Sequence, residues 1–153
     1  MERHNIILKN LNMIKELSYI IISYDYYLSG KIEKILTNHT NEITSIVVLP
    51  SKNPKIISAS KDNTLRLHDI DNNKSEIIPI GHSKYITSIC IIEEKIATGS
   101  EDKTIRIWDL INNKCEHILS GHEKGVTCVI FIPPNKIAGS SNDFTIRIWN
   151  IEY

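Results

Sequence analysis

The chain reads as an all-β protein assembled from repeated four-stranded antiparallel sheets, and three observations carry that reading. Residues 58–69 (SASKDNTLRLHD), 98–109 (TGSEDKTIRIWD) and 139–150 (GSSNDFTIRIWN) are near-copies of one another. The copies are evenly spaced: His39, His82 and His122 stand at intervals of 43 and 40 residues, and His68, Trp108 and Trp149 at intervals of 40 and 41. A period near forty corresponds to one four-stranded unit per copy. The apolar runs between the punctuating residues are short and rich in isoleucine and valine, as strands are.

Taken in order, each unit begins at a Gly-His or similar pair and enters a first run, expected as a strand over residues 43–49, 85–92 and 126–132. A second strand is expected over 55–58, 95–98 and 136–139. A tight turn follows around Asp62, Asp102 or Asp143, and a third strand ends at His68, Trp108 or Trp149. Asn72-Asn73 and Asn112-Asn113 tolerate positive φ, which allows a hairpin return into a fourth strand over 76–80 and 116–119. At the front, residues 20–39 match 105–122 nearly position for position, with Tyr24-Asp25 in the place of Trp108-Asp109. This predicts a degenerate first unit whose earlier strands fall near 5–8 and 11–15. One domain is therefore expected over 1–153: a degenerate unit at 1–38, full units at 39–80 and 81–120, and a unit at 121–153 lacking its last strand.

Composition narrows the function classes. With 41 % hydrophobic and 24 % charged residues in 153, the chain has the balance of a soluble globular protein with room for one core. Eighteen basic and eighteen acidic side chains cancel, so the electrostatic footprint of a protein that neutralises many phosphates is missing and direct nucleic-acid binding is disfavoured. The N-terminus has no apolar run of signal-peptide length, and the richest apolar stretch, 17–28, is interrupted by Asp25. No membrane span or export signal is expected. Cys90, Cys115 and Cys128 are odd in number and lie in apolar runs without CxxC spacing, which reads as core packing in a reducing compartment. Asn38-His39-Thr40 is a glycosylation sequon, but Asn38 stands where the other units have Gly81 and Gly121, so a left-handed turn is the expected role. The six histidines form no short ligand cluster, and neither a metal nor a cofactor is expected. Arg66, Arg106 and Arg147 line up on the outward parity of their strands and are expected to form a solvated face.

The repeated polar residues decide between chemistry and architecture. Thr98, His82 and Asp102 could by type form a nucleophile, base and carboxylate. A catalytic site occurs once per domain, however, whereas this set recurs in separate units, and no Gly-x-Ser-x-Gly elbow is present. The alternative is a structural chain in which an indole N–H meets a hydroxyl, the hydroxyl an imidazole, and the imidazole a turn carboxylate, each buried group supplying the next one's partner. Burying the indole contributes up to roughly 4–6 kcal/mol, and each hydrogen bond a net ~1 kcal/mol. The polar chain then fixes register.

These residues resemble the WD-repeat β-propeller family, whose units carry Gly-His near the start, Trp-Asp near the end and a Trp, Ser/Thr, His, Asp tetrad. The resemblance covers residues 20–153 and is fullest over 81–109. Carried over by position, it implies tetrads of His39, Ser58, Asp62 and, in the tryptophan place, His68; of His82, Thr98, Asp102 and Trp108; and of His122, Asp143 and Trp149, with Gly139 where a hydroxyl belongs. The middle unit is then the most stable. The fold implied is a partial or unusually small propeller, completed by further units of a longer protein, by a strained four-unit ring, or by another chain.

The resemblance also implies a non-catalytic scaffold, intracellular and either cytoplasmic or nuclear, that docks proteins or peptides as part of a larger complex. Its usual docking face carries the loop after each histidine and the turn at each aspartate. Here the matching positions are Glu42, Lys61, Lys84, Tyr85, Glu101, Lys124 and Asn142, with Tyr85 the expected anchor. An RNA-associated component of a ribonucleoprotein assembly is the alternative, and a hydrolase a more remote one.

Overall fold

Eleven strands and no helix form among the residues that the computed structural model describes, 32–50 and 53–151. The first sheet contains β1 (Ile43–Leu49), β2 (Lys55–Ser60), β3 (Leu65–Asp69) and β4 (Lys74–Ile78). The second contains β5 (Ile86–Ile92), β6 (Lys95–Ser100), β7 (Ile105–Asp109) and β8 (Lys114–Leu119), and the third β9 (Val126–Ile132), β10 (Lys136–Ser141) and β11 (Ile146–Asn150). Each is a simple antiparallel meander in chain order, with β1, β5 and β9 at one edge of their sheets. The strands expected after residue 42 are present in the expected order, but the second strands run two residues further than the apolar pattern suggested, through Ser60, Ser100 and Ser141, and the fourth start two residues earlier than expected, at Lys74 and Lys114, the first of them ending at Ile78.

The chain divides into Met1–Thr37 and Asn38–Tyr153. The strands expected near 5–8 and 11–15, and the Tyr24-Asp25 pair, lie outside the described residues. Residues 32–39 form no strand, although they align with the stretch that contains β8.

Instead of one core, the sheets enclose two. Ile57, Ala59 and Leu65 of the first sheet pack with Ile86, Ile89, Ile96 and Trp108 of the second. Ala97, Ile105 and Ile107 of the second pack with Val126, Val129 and Ile137 of the third. A strand sends alternate side chains to opposite faces, so the middle sheet, covered on both sides, needs apolar residues on each of them. It has them: Ile86, Ile89 and Trp108 pack toward the first sheet and Ile92, Ile105 and Ile107 toward the third.

Hydroxyls bond neighbouring sheets together at the edge of β1, β5 and β9. A β-bulge at the start of β1 and another at the start of β5 displace Thr44 and Thr87 from the ladder, and bulges re-aim side chains. Thr44 donates to the Ile86 carbonyl and Thr87 to the Val126 carbonyl, both at 2.7 Å. The next serines accept in return: the Ile89 amide donates to Ser45 and the Val129 amide to Ser88, both at 3.2 Å.

The turns follow their residue types. Asn73 and Asn113 have φ of 54° and 50°, as the Asn-Asn pairs predicted, and the Asp69 and Asp109 carboxylates accept the amides of Asn72 and Asn112 at 3.0 Å. Asn38, by contrast, is not in the left-handed region, and nor is Gly81; of the three aligned positions only Gly121, at 140°, has positive φ. Cys90 and Cys115 are half-buried, and burial pushes the Cys90 thiol up to about 12. Cys128 is exposed, against expectation, because no fourth sheet covers its side of the third among the described residues. The arginines do not form a solvated face either. Arg66, Arg106 and Arg147 are half-buried, the Nε of Arg66 and Arg106 is enclosed without a partner, and the Arg106 Nη1 lies 2.9 Å from where a Cβ on Gly81 would stand. Among the described residues, no helix is long and apolar enough to cross a membrane.

Candidate functional site

The middle sheet holds the tetrad of Trp108, Thr98, His82 and Asp102. The Trp108 indole donates to the Thr98 hydroxyl at 2.8 Å, the same hydroxyl lies 2.8 Å from His82 Nε2, and His82 Nδ1 lies 2.8 Å from the Asp102 carboxylate. The imidazole edge meets the indole with ring centres 6.1 Å apart. Thr98 and Trp108 sit on paired strands, β6 and β7, and the loop and turn bring His82 and Asp102 to the same end. The first sheet repeats the chain with a second imidazole for the indole: Ser58 lies 2.7 Å from both His68 and His39, and His39 Nδ1 lies 2.8 Å from Asp62.

In the third sheet the chain is broken and rerouted. His122 Nδ1 lies 2.8 Å from Asp143, but with Gly139 in the hydroxyl place its Nε2 faces the Gly139 carbonyl at 3.1 Å. Trp149 donates instead to the Ser120 carbonyl at 3.3 Å. A Cβ on Gly139 would stand 2.5 Å from the Ile105 methyl and 3.4 Å from the imidazole, so the absent side chain is what lets the ring approach the backbone.

Two further polar positions recur in every unit and were not singled out in the sequence, although the repeat displays them. Thr64, Thr104 and Thr145 each donate to the turn aspartate two residues earlier at 2.6 Å. Ser60, Ser100 and Ser141 accept the aspartate's own amide, at 3.0, 3.1 and 3.1 Å, and donate to carbonyls of the loop after the histidine. Burial pushes the Asp102 carboxyl up, but the Thr104 hydroxyl and amide and the His82 ring outweigh it and hold the group down at about 2. Asp62 and Asp143 lie well below the usual carboxylate range: at Asp62 burial pushes the carboxyl up, but the hydrogen bonds from Thr64, the Thr40 amide and the His39 ring together outweigh it, and at Asp143 the Thr145 hydroxyl dominates. Burial lowers His82, against the pull of Asp102. The Thr98 hydroxyl is wholly enclosed and engaged on both sides, so it has no approach for a substrate. No group of three or more His, Cys, Asp or Glu among the described residues is placed to hold a metal ion.

The seven positions expected to contact partners sit at this same end of the sheets. The Lys61, Glu101 and Asn142 amides donate to the Glu42, Tyr85 and Gly125 carbonyls at 2.9, 3.1 and 3.0 Å, tying each Asp turn to its loop. Lys61 and Glu42 also form an exposed ion pair at 2.6 Å. Lys84, Lys124 and Asn142 are exposed, Glu101 is half-buried with its carboxylate against Gly125 of the next unit, and Tyr85 is half-buried. The aromatic presented most fully is one the sequence reading passed over: Phe144, 92 % exposed in the third Asp turn, with Lys124 Nζ 5.4 Å from its ring centre. Its backbone is left-handed, φ 68°, as are Asn63 and Lys103 in the other two turns. A bulky residue there costs ~1–2 kcal/mol. An aromatic where the other units carry polar residues is the signal that marked it.

A family model described as "WD domain, G-beta repeat" matches residues 30–69, 74–109 and 113–150. No curated protein matches the chain. Two solved structures, of U3-55K and of the RRP9 WD40 repeats, are each 25 % identical to it with a TM-score of 0.70, over 77 % of this chain and 38 % of theirs. The chain thus spans well under half the length of those structures. The repeated sheets, the tetrads and the threefold family match make this chain a member of the WD40-repeat family.

Proposed function

We propose that the chain is a non-catalytic scaffold that docks other proteins or peptides on the end of the sheets bearing the histidine loops and Asp turns, within a larger intracellular complex, cytoplasmic or nuclear. The observation that carries the reading is a division of roles at that end. The histidines, aspartates and Thr98 are consumed by bonds to one another beneath the surface. What remains outside is a rim of mixed charge with one prominent aromatic, Phe144. Rigid strands that hold short loops suit recognition, and exposed aromatics are frequent anchors of binding energy. In this reading the unit boundaries fall at 39–80, 81–120 and 121–153, with 1–38 as a degenerate unit, and no cofactor takes part.

The test is recovery of binding partners on immobilised chain. Reversing Lys61 and Lys84 to Glu, and separately Phe144→Ala, is expected to reduce recovery while thermal stability holds. Unchanged recovery from all these variants would move the docking face elsewhere. An RNA mobility shift by the purified chain with a steep salt dependence would replace this reading with the RNA-associated one. A hydrolytic activity abolished by Thr98→Ala in a folded variant would replace it with the enzymatic one.

A further inference from the structure

The hydroxyl at the centre of a tetrad has one hydrogen to give, and its neighbours decide where it goes. In the middle sheet the Trp108 indole can only donate, and it donates to Thr98. The Thr98 hydrogen then falls to His82 Nε2 at 2.8 Å, which accepts while Nδ1–H donates to Asp102. A further proton on His82 would place a second donor against Thr98 and turn its hydrogen toward the Arg106 carbonyl, 3.4 Å away. The middle chain therefore runs in one direction. In the third sheet a carbonyl, which only accepts, faces His122 Nε2 at 3.1 Å while Asp143 faces Nδ1, so both bonds are filled with a hydrogen on each nitrogen.

The first sheet is not bound to either direction. His68 stands in the indole's place, and an imidazole nitrogen can donate or accept. Ser58 Oγ lies 2.7 Å from His68 Nε2 and 2.7 Å from His39 Nε2, and His39 Nδ1 lies 2.8 Å from Asp62. Ser58 and His68 are 2 and 3 % exposed, so water does not stand in for a lost partner. Two arrangements fill both bonds of Ser58. With His39 neutral, Ser58 donates to His39 Nε2 and accepts from His68 Nε2–H. With His39 charged, its Nε2–H donates to Ser58, Ser58 donates to His68 Nε2, and the one hydrogen of His68 sits on Nδ1. That nitrogen is enclosed and has no partner among the described residues in either arrangement, so its cost does not choose between them.

We infer that His39, Ser58 and His68 form a reversible proton-binding site: uptake of a proton at His39 is matched by reversal of the Ser58 hydroxyl and a switch of His68 from the Nε2–H to the Nδ1–H tautomer. The protons balance. One enters, the Ser58 and His68 hydrogens change places along the chain, and the single positive charge rests on His39 against the Asp62 carboxylate. His68 stays neutral, because burial, and after it the charges of His39 and Arg66, hold it below the usual histidine range. The charged groups of the overlying loop and turn, Glu42 and Lys61, pair with each other at 2.6 Å. The first unit thus gains a charge at the loop end of its sheet without losing a bond between loop and strands, which the one-way chain around Trp108 does not allow.

The test is long-range proton–nitrogen NMR of the nitrogen-15-labelled full chain, which reads the hydrogens on each imidazole nitrogen through a pH titration. In the wild type His68 is expected to change tautomer, uncharged throughout, with the same midpoint at which His39 becomes an imidazolium, as a coupled pair does. In Ser58→Ala the link is cut: His39 is expected still to titrate while His68 keeps one tautomer. His68→Trp installs the one-way donor of the middle unit and is expected to lower the pH at which His39 titrates by ~1 unit or more, the equivalent of stranding one buried hydrogen. Should Ser58→Ala not fold, the wild type and His68→Trp decide. A wild-type His68 that keeps one tautomer throughout, or that takes the charge in place of His39, overturns the inference. So does a tautomer switch that survives Ser58→Ala, or a His39 midpoint that His68→Trp leaves in place.

Discussion

Thr98→Val isolates the contribution of the polar chain in the middle sheet. Valine preserves the branched shape and volume of a residue with no exposed surface, and removes the hydroxyl that both Trp108 and His82 reach at 2.8 Å. Two buried polar atoms, an indole N–H and an imidazole nitrogen, then lack partners, at ~1–3 kcal/mol each. The third sheet shows how such a loss is relieved: His122 and Trp149 turn to backbone carbonyls at 3.1 and 3.3 Å. That escape depends on the bare Cα of Gly139, and valine would obstruct it. A loss of ~3 kcal/mol is therefore expected, which in urea denaturation moves the midpoint down by ~1–3 M. Thr98→Ser, which keeps the hydroxyl, is the control and is expected to lose less than ~1.5 kcal/mol. Equal, small losses in both variants would refute the reasoning, since the hydroxyl would then contribute little.

Gly139→Ser, which by sequence would complete the third tetrad, is expected to destabilise by ~1–3 kcal/mol, because its Cβ would meet the buried Ile105 methyl at 2.5 Å; calorimetry checks the sign. Phe144→Asn is expected to stabilise by ~1 kcal/mol by relieving the left-handed backbone at φ 68° and to weaken partner recovery at the same time. The melting temperature is expected to fall as pH drops below about 6.5, where the unfolded chain protonates a histidine that the buried His82 site resists. It is expected to fall further from about 4 toward 2, because the depressed Asp102 carboxyl stabilises the fold above its unfolded value of 3.8 and that contribution is lost on approach to about 2. A flat profile between pH 7 and 3 would contradict both assignments.

The fold was legible because each unit writes its strands and its Asp turn, and the first two full units their Asn hairpin, within about forty residues. The tetrads were legible for the same reason, since the hydroxyl, aspartate and tryptophan places recur at spacings of 4 and 6 residues. What escaped was set between units. The second core arises because the middle sheet buries both faces, and no single strand announces that. The bulges that send Thr44 and Thr87 to neighbouring sheets depend on a register slip, not on residue type. Gly139 read as a missing hydroxyl, whereas its carbonyl replaces one. The arginines followed outward parity, but the loop carrying Gly81 or Gly121 folds over two of them, which alternation along a strand does not encode. Tyr85 drew attention as an aromatic beside a histidine loop; Phe144, in a turn that elsewhere holds Asn63 and Lys103, is the one that faces solvent.

Native-state hydrogen exchange, resolved by residue, tests most directly the claim that the repeated polar chains and the cores between sheets hold the array together. The second sheet has the complete tetrad and cover on both faces, so the amides of β6 and β7 are expected to be the most protected and to open only with global unfolding. The first sheet, with His68 in the indole place, and the third, with a backbone carbonyl in the hydroxyl place, are expected to exchange sooner. Exchange of β6 and β7 ahead of β2 and β10 would contradict the account.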